Sequence, residues 1–309
     1  MNIFCNCRIQ SYDRSRSYSQ NTCSASRITG GINNQRYRIA FFFIFDNKKQ
    51  EVMSINIDKI SLNIKGVDII KDISFTINPG ELITILGPNG SGKSTLLKVI
   101  SGDVLPTKGL VDIDDVPLTD MSFKTQALKR SVMSQSQQIL YDYSVAEIIE
   151  MGWVDYGNTA SIKSIKQKCN NVAKECFVDH LLKRNFNTLS GGEQRRVHFA
   201  RTLLQIDHHY ESIGSRYMFL DEPTANLDLL FELQMIRLLK EKAKNGIGVL
   251  LIIHDLNLAS KFSDKIAILK KGNLISYGKP FEVFKSKTLS DIFGLAMDVD
   301  PKTLKVTYY

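Results

Sequence analysis

Residues 87–94 read Gly87-Pro88-Asn89-Gly90-Ser91-Gly92-Lys93-Ser94, a glycine-spaced loop that ends in a lysine and a hydroxyl. Glycines at this spacing let successive backbone N–H groups point inward around phosphate oxygens, and a helix starting at the lysine adds the partial positive charge of its N-terminus. In such a loop Lys93 reaches the β- and γ-phosphates of a nucleotide, the Ser94 hydroxyl ligates Mg²⁺, and Thr95 completes the phosphate-binding set. A second pair of chemical groups follows far downstream, where the apolar run Tyr217-Met218-Phe219-Leu220 ends in Asp221-Glu222. An acid at the carboxyl end of a strand beside a phosphate loop can hold Mg²⁺ through water, the role assigned to Asp221. Glu222 is then the candidate general base, polarising a water for in-line attack on the γ-phosphate. Two acids ending a strand are by themselves a common solvated feature, so their meaning depends on the loop at 87–94.

Between these two motifs stands Leu189-Ser190-Gly191-Gly192-Glu193-Gln194, followed by apolar residues at helical spacing, Val197, Ala200, Leu203 and Leu204. Ser190 and the two glycines at a helix start make a second anion site, distinct from the first. With this motif the chain resembles the ABC-transporter ATPase family, and the family's motifs occur in order. They are the phosphate loop, Gln135 after the apolar Val132-Met133, the LSGGEQ signature, the strand ending Asp221-Glu222, Ala225-Asn226-Leu227-Asp228, and His254 after an apolar strand over 248–253. The resemblance covers the chain from Met53 onward.

The resemblance implies an α/β phosphate-loop NTPase core of ABC ATPase type with a mainly parallel sheet, an N-terminal antiparallel β subdomain and a helical subdomain inserted over about 136–188. It implies that one ATP is clamped between the phosphate loop of one subunit and Ser190, Gly191, Gly192 and Glu193 of another, so that the working unit is a homodimer. Gln135 would sense the γ-phosphate and Mg²⁺, His254 would hold the γ-phosphate in its hydrolytic geometry, and Asp228 would communicate across the dimer. Metal contacts would come from Ser94, Gln135 and Asp221. One departure is visible: the family often places an aromatic side chain near the position of Ile64 to stack on adenine, and neither Ile64 nor its immediate neighbours are aromatic. Stacking of that kind is worth about 1–3 kcal/mol, and no adenine contact is carried onto Ile64.

Within the family, the segment 121–135 (MSFKTQALKRSVMSQ), Tyr143-Ser144-Val145-Ala146-Glu147, Met151-Gly152 and the long connection over 205–216 resemble the haem (hemin) import ATP-binding subunits. Ferric-siderophore and cobalamin importers are close relatives of that branch. The expected role is that of an ATPase peripheral to the cytoplasmic face of the inner membrane, partnered by multi-span permease subunits and, indirectly, by a periplasmic haem-binding protein. No nucleic-acid partner is expected. Tyr141, Tyr143 and Trp153 are either core aromatics or exposed in a groove beside Gln135 that receives a short helix of the permease. His208-His209 read as a solvated loop, because such an ATPase never needs to touch the cargo. A soluble ABC ATPase of DNA repair or translation is the alternative; it calls for a second cassette or for coiled-coil or zinc insertions. The 97 residues from Lys93 to Ser190 hold neither sustained heptads nor a CxxC.

The elements needed to position these groups are legible as periodicities. Ile55, Ile57, Ile60, Leu62 and Ile64, then Ile73, Phe75 and Ile77, are strand-like, with a break at Gly66 and a turn at Asn78-Pro79-Gly80. The continuous apolar run Leu82-Ile83-Thr84-Ile85-Leu86 has the character of a buried parallel strand leading into the phosphate loop. Helical spacing marks Val145, Ile148 and Ile149, then Val172 and Cys176; a helix is expected over 255–262, strands over 266–269 and 274–277, and room for one or two helices beyond Pro280.

Composition sets the outer bounds. At 309 residues no covalent staples are needed for a core, and five cysteines without metal-type spacing fit a reducing compartment. The longest apolar run, IAFFFIF at 39–45, is too short to cross a bilayer. Residues 1–52 hold eight Lys/Arg against three acids and so carry five of the net charge of +8. That Ser-, Asn- and Arg-rich stretch is read as a basic N-terminal extension, disordered or non-native, with the ATPase domain running over 53–309. The remaining +3 makes no electrostatic case for binding DNA or RNA.

Overall fold

The alternating isoleucines form two long antiparallel strands, β1 (Ile55–Ile64) and β2 (Val67–Ile77), in this computed structural model, which describes residues 53–135, 139–154, 161–207 and 214–309. The readings of 1–52, of His208-His209 and of the stretches 136–138 and 155–160 within the 136–188 segment lie outside the described residues. Within β1 the step of three from Ile57 to Ile60 breaks the two-residue period. The chain absorbs it as a register shift with Lys59 at φ 47°, so that Ile55, Ile57, Ile60 and Leu62 all face inward. Ile64, beyond the last of these, is 48% exposed.

The apolar run at 82–86 is β3 (Leu82–Leu86), buried along its whole length, and the loop after it opens α1 (Lys93–Ser101). The chain then returns to β1 through β4 (Lys108–Ile113) and β5 (Val116–Pro117), giving an antiparallel sheet of order β2-β1-β4-β5. Next come α2 (Phe123–Lys129), β6 (Arg130–Met133), α3 (Val145–Glu150), α4 (Ile162–Glu175) and α5 (Gly191–Ile206). These are followed by β7 (Arg216–Asp221), α6 (Leu229–Lys244), β8 (Ile247–Ile252), α7 (Leu256–Phe262), β9 (Lys265–Lys270) and β10 (Asn273–Gly278). Two short helices, α8 (Pro280–Val283) and α9 (Ser286–Phe293), precede a hairpin of β11 (Met297–Val299) and β12 (Val306–Tyr308). Asn257 on α7 fastens that hairpin by exchanging two hydrogen bonds with Val306, at 2.8 and 3.2 Å.

A second sheet has the order β10-β9-β3-β8-β7-β6 and is parallel except for β10. Its two faces are buried with strict alternation. Leu82, Leu86, Met218, Leu220, Val249 and Leu251 face a core shared with α3, α4, α5 and α6, while Ile83, Ile85, Tyr217, Phe219, Leu250 and Ile252 face α1 and the antiparallel sheet. Each such side chain, fully removed from water, contributes about 1.5–3 kcal/mol before conformational entropy is set against it. α3 and α4 pack on α5 and on each other through Val145, Ile148, Ile149, Cys169, Val172 and Ala173.

Register decides what emerges at the sheet's edge. Ile85 stands beside Ile252, Ile252 beside Asp221, and Leu220 beside Met133. Four neighbouring strands therefore end level, and Gly87, His254, Glu222 and Gln135 each follow within two residues of that line. Open α/β sheets bind ligands at this carboxyl edge.

Candidate active site

The phosphate loop is shaped by its own packing. Gly87 adopts φ 150°, and a Cβ there would stand 2.2 Å from the carbonyl oxygen of Leu269 and 2.8 Å from Ser91 Oγ, so no larger residue fits. Lys93 is 6% exposed, and its Nζ donates to the carbonyls of Gly87 (2.9 Å) and Pro88 (3.1 Å). Burial pushes the ammonium pKa down, while the carboxylates of Glu222 and Asp221 pull it back up. One position on, Ser94 Oγ donates to Asp221 Oδ1 at 3.2 Å. Asp221 is 3% exposed, and burial raises its pKa; the Ser94 hydrogen bond opposes the rise, the Glu222 charge adds to it, and Lys98 and Lys93 lower it.

Glu222 has φ 50°, a conformation that L-residues seldom adopt and that surrounding contacts must hold in place. Those contacts are its N–H donating to Ile252 O (3.1 Å) and its carbonyl accepting from the Ala225 N–H (3.2 Å). The strained turn swings the carboxylate away from the sheet. Its Oε2 accepts from Gln135 Nε2 at 2.9 Å, and His254 Nε2 lies 2.7 Å from its Oε1. Gln135, Glu222 and His254 thus meet over a cleft of about 350 Å³ whose other walls are Asn89, Gly90, Gly92, Lys93, Ser94 and Thr95. Gly87 and Pro88 support it from beneath through Lys93, and Asp221 lies behind Ser94. The oxygens at hand are the Ser94 hydroxyl, the Asp221 carboxylate and the Gln135 amide Oε1, which is left over because Nε2 is engaged by Glu222. This hard-oxygen set suits Mg²⁺, and a buried carboxylate whose pKa is raised by its surroundings is well served by a cation beside it. Ile64 is not among the cleft's lining residues.

The signature lies elsewhere on the surface. Ser190 caps α5: its Oγ accepts from the Glu193 N–H (3.4 Å), while its own N–H and Oγ donate to Glu193 Oε2 (2.8 and 2.9 Å). These bonds hold the Glu193 carboxyl below its usual range. Ser190 and Gly191 are exposed, and none of Ser190, Gly191, Gly192 and Glu193 lines the Lys93 cleft. A Cβ on Gly192 would stand 3.2 Å from Asn226 O and 3.5 Å from Leu227 Cδ2, so the signature abuts the loop leading to Asp228. Asp228 sits exposed at the N-cap position of α6 and is likewise outside the cleft.

Tyr141 is 72% exposed and makes an edge contact with Tyr143, 6.2 Å between ring centroids, whereas Tyr143 and Trp153 pack partly buried against the core. Sequence reasoning passed over two features. Ser144 and Glu147 form a capping box at the start of α3, announced by the Ser-x-x-Glu spacing. Arg195 donates to the Gln135 and Ala225 carbonyls, and nothing in the local sequence signals either contact.

Known proteins share these features. The profile described as ABC transporter matches residues 70–225. The hemin import ATP-binding protein HmuV of Rhodopseudomonas palustris is 36% identical over 241 residues, which is 78% of this chain and 88% of that protein. The dimeric structure of MJ0796, a bacterial ABC transporter cassette, is similar with a TM-score of 0.66 at 27% identity, covering 73% of this chain and 98% of its own. A dimeric post-hydrolysis state of the same cassette, bound to ADP and Pi, gives a TM-score of 0.65 at 26% identity, with the same coverage. The level strand ends, the phosphate loop with its paired acids and the separate signature are therefore those of a nucleotide-binding ATPase, and the chain belongs to the ABC transporter family.

Proposed function

We propose that this chain is the ATP-hydrolysing subunit of an importer that takes up haem (hemin), working as a homodimer on the cytoplasmic face of the inner membrane. The observation that carries the chemistry is the Glu222 carboxylate fixed between Gln135 and His254 over the Lys93 cleft. Lys93 neutralises the β- and γ-phosphates, and the loop N–H groups with Thr95 cradle them. Ser94, Gln135 and Asp221 are the residues that would hold Mg²⁺, which would supply neutralisation of the phosphate charge. Glu222 takes a proton from the water that attacks the γ-phosphorus in line, the bond to the bridging oxygen of ADP breaks, and His254 orients the departing phosphoryl group.

The exposed Ser190 and Gly191 and the half-buried Gly192, standing apart from the chain's own cleft, support a contact with the nucleotide of a second copy. Glu193 secures that contact by fixing Ser190, and Asp228 lies beside the signature where it can reach across the dimer. Exposed Leu140 and Tyr141, a few residues past Gln135, support a permease contact there. Residues 1–52 are a basic N-terminal extension, residues 53–309 the ATPase domain, and about 136–188 its helical subdomain. The cargo reading is supported by the relative named for hemin import. No helix among the described residues is long and apolar enough to cross a membrane, which fits an ATPase that borrows its membrane path from a partner.

The test is complementation: a strain lacking its own haem-importer ATPase but holding the matching permease and periplasmic haem-binding protein should grow on haem when this chain is supplied. Growth on a ferric siderophore or cobalamin but not on haem would reassign the cargo and leave the ATPase chemistry standing.

A further inference from the structure

Arg195 occupies the first turns of α5, five residues beyond Ser190, and its guanidinium reaches two backbone carbonyls outside that helix. Nη1 donates to the backbone carbonyl of Gln135 at 2.8 Å, and Nε to that of Ala225 at 3.3 Å. Those carbonyls lie 60 residues before it and 30 after it in the chain. Both belong to the segments that hold the catalytic carboxylate. Gln135 grips Glu222 Oε2 through its side chain, and the Ala225 N–H closes the strained turn onto the Glu222 carbonyl. A single guanidinium therefore ties three pieces of backbone together: the helix that starts at the signature, the segment carrying Gln135 and the turn carrying Glu222.

Arg195 is half-buried and does not line the Lys93 cleft, so it does not itself meet the chain's own nucleotide. We infer that Arg195 is a positioning residue that links the signature helix to the general base of the same chain. The inference rests on the reading of this protein as a dimeric ATPase, in which Ser190 meets the partner's nucleotide while Glu222 acts on the chain's own. A helix moves as a rigid rod over so few residues, so a shift of α5 when Ser190 engages the partner's ATP reaches the Gln135 and Ala225 carbonyls through Arg195 and settles Glu222. Occupancy of one site is thereby felt at the base of the other. The planar, multi-donor guanidinium suits this position because two carbonyls diverge from it; a lysine ammonium on a flexible stem does not span both at fixed angles. Burial disfavours the cation in its half-buried place, and the negative charges of Glu222 and then Asp221 offset part of that cost.

The test compares the full chain with its Arg195→Met and Arg195→Lys variants, measuring ATP affinity by equilibrium binding, turnover by phosphate release across a range of ATP concentrations, and folding by thermal unfolding. Loss of charged hydrogen bonds of this kind predicts a fall in kcat of about tenfold to hundredfold for Arg195→Met, with ATP affinity held and the Hill coefficient falling from above one towards one. Arg195→Lys, which can keep one bond, should fall between the two. Should Arg195→Met not fold, a lowered kcat at unchanged affinity in Arg195→Lys carries the inference. An Arg195→Met chain with wild-type kcat overturns it, as does a loss of affinity in step with kcat that Arg195→Lys does not relieve. A wild-type Hill coefficient of one overturns the link between sites. A wild-type chain that does not hydrolyse ATP at all defeats the ATPase reading itself, which is a different failure from any of these.

Discussion

Replacing Glu222 by glutamine isolates the proton-transfer step, and the geometry says how much else should change. The carboxylate accepts from Gln135 Nε2 at 2.9 Å through one oxygen and meets His254 Nε2 at 2.7 Å through the other. The amide introduced by Glu222→Gln can turn its oxygen to Gln135 and keep that bond. Its NH₂ then faces His254, whose Nε2 accepts once the imidazole proton sits on Nδ1. The side chain therefore stays in place after one tautomer change, and Lys93, Ser94 and the loop N–H groups are untouched. What disappears is the base. General-base catalysis is worth about 10²–10⁴-fold, or about 2.7–5.4 kcal/mol of barrier, so kcat should fall to about 1% of wild type or lower. ATP affinity should hold or tighten, because a negative charge beside the γ-phosphate has been removed. Phosphate release measures the first quantity, equilibrium ATP binding the second, and size-exclusion chromatography with ATP should show an accumulating dimer. Turnover within about tenfold of wild type would refute the assignment of Glu222. So would a parallel loss of ATP affinity, which would mean that Glu222 shapes the cleft and not the chemistry.

Lys93→Ala removes the buried ammonium beside the phosphates, and a lost charge-assisted contact of about 1.5–3 kcal/mol should weaken ATP binding by about 10- to 150-fold in a titration. Ser190→Arg breaks the α5 capping box, at about 0.5–2 kcal/mol of stability, and should leave monomer ATP binding intact while blocking the ATP-bound dimer; normal turnover in a mixture of these two variants would contradict a shared site. Burial raises the Asp221 pKa, so its stabilising contribution is greatest below the unfolded value and is lost as pH rises through the folded one, leaving the ionised form unfavourable at neutral pH. Asp221→Asn should accordingly raise the thermal midpoint at pH 7 while abolishing Mg²⁺-dependent turnover, and a lower midpoint would show that the Ser94 hydrogen bond outweighs burial. A chain starting at Met53 keeps every motif and should unfold cooperatively and bind ATP as the full chain does, a result that loss of binding would reverse.

How far the site was legible from the sequence follows from where its groups stand. Glu222 and His254 come within two residues of the end of a buried strand and Lys93 at the end of the loop that follows one, and a buried strand announces itself as an apolar run; run and motif are read together. The same holds for β3, β7 and β8 and for α5, which Ser190 caps. The partner of an edge strand is not announced. Lys108-Gly109-Leu110-Val111-Asp112-Ile113 gives no local sign that it will pair with β1 some fifty residues earlier, and the short hairpin of β11 and β12 depends on Asn257 of α7, 49 residues away from Val306. Ile64 continues the apolar spacing of β1 on paper, but a further register shift between Leu62 and Asn63 stands before it, and it is 48% exposed at the strand's end. Periodicity counts residues, and a bulge changes what the count means.

The signature shows the same limit from the other side, where one motif serves two physical ends. Read for chemistry, Ser190, Gly191, Gly192 and Glu193 are a single anion-contacting set at a helix N-terminus. Ser-x-x-Glu is also the spacing of a capping box, and Glu193 is bound by that second use: its carboxylate is taken up by the N–H and hydroxyl of Ser190. A carboxylate aimed at a triphosphate would repel it, whereas one turned back onto the Ser190 cap is kept off the first N–H groups of α5. Gly192 adds the close approach to Asn226 that brings the loop before Asp228 against the same helix start. In the proposed dimer Glu193 and Gly192 act on nucleotide by shaping the surface that Ser190 and Gly191 present, and Arg195 carries the position of that surface back to Glu222.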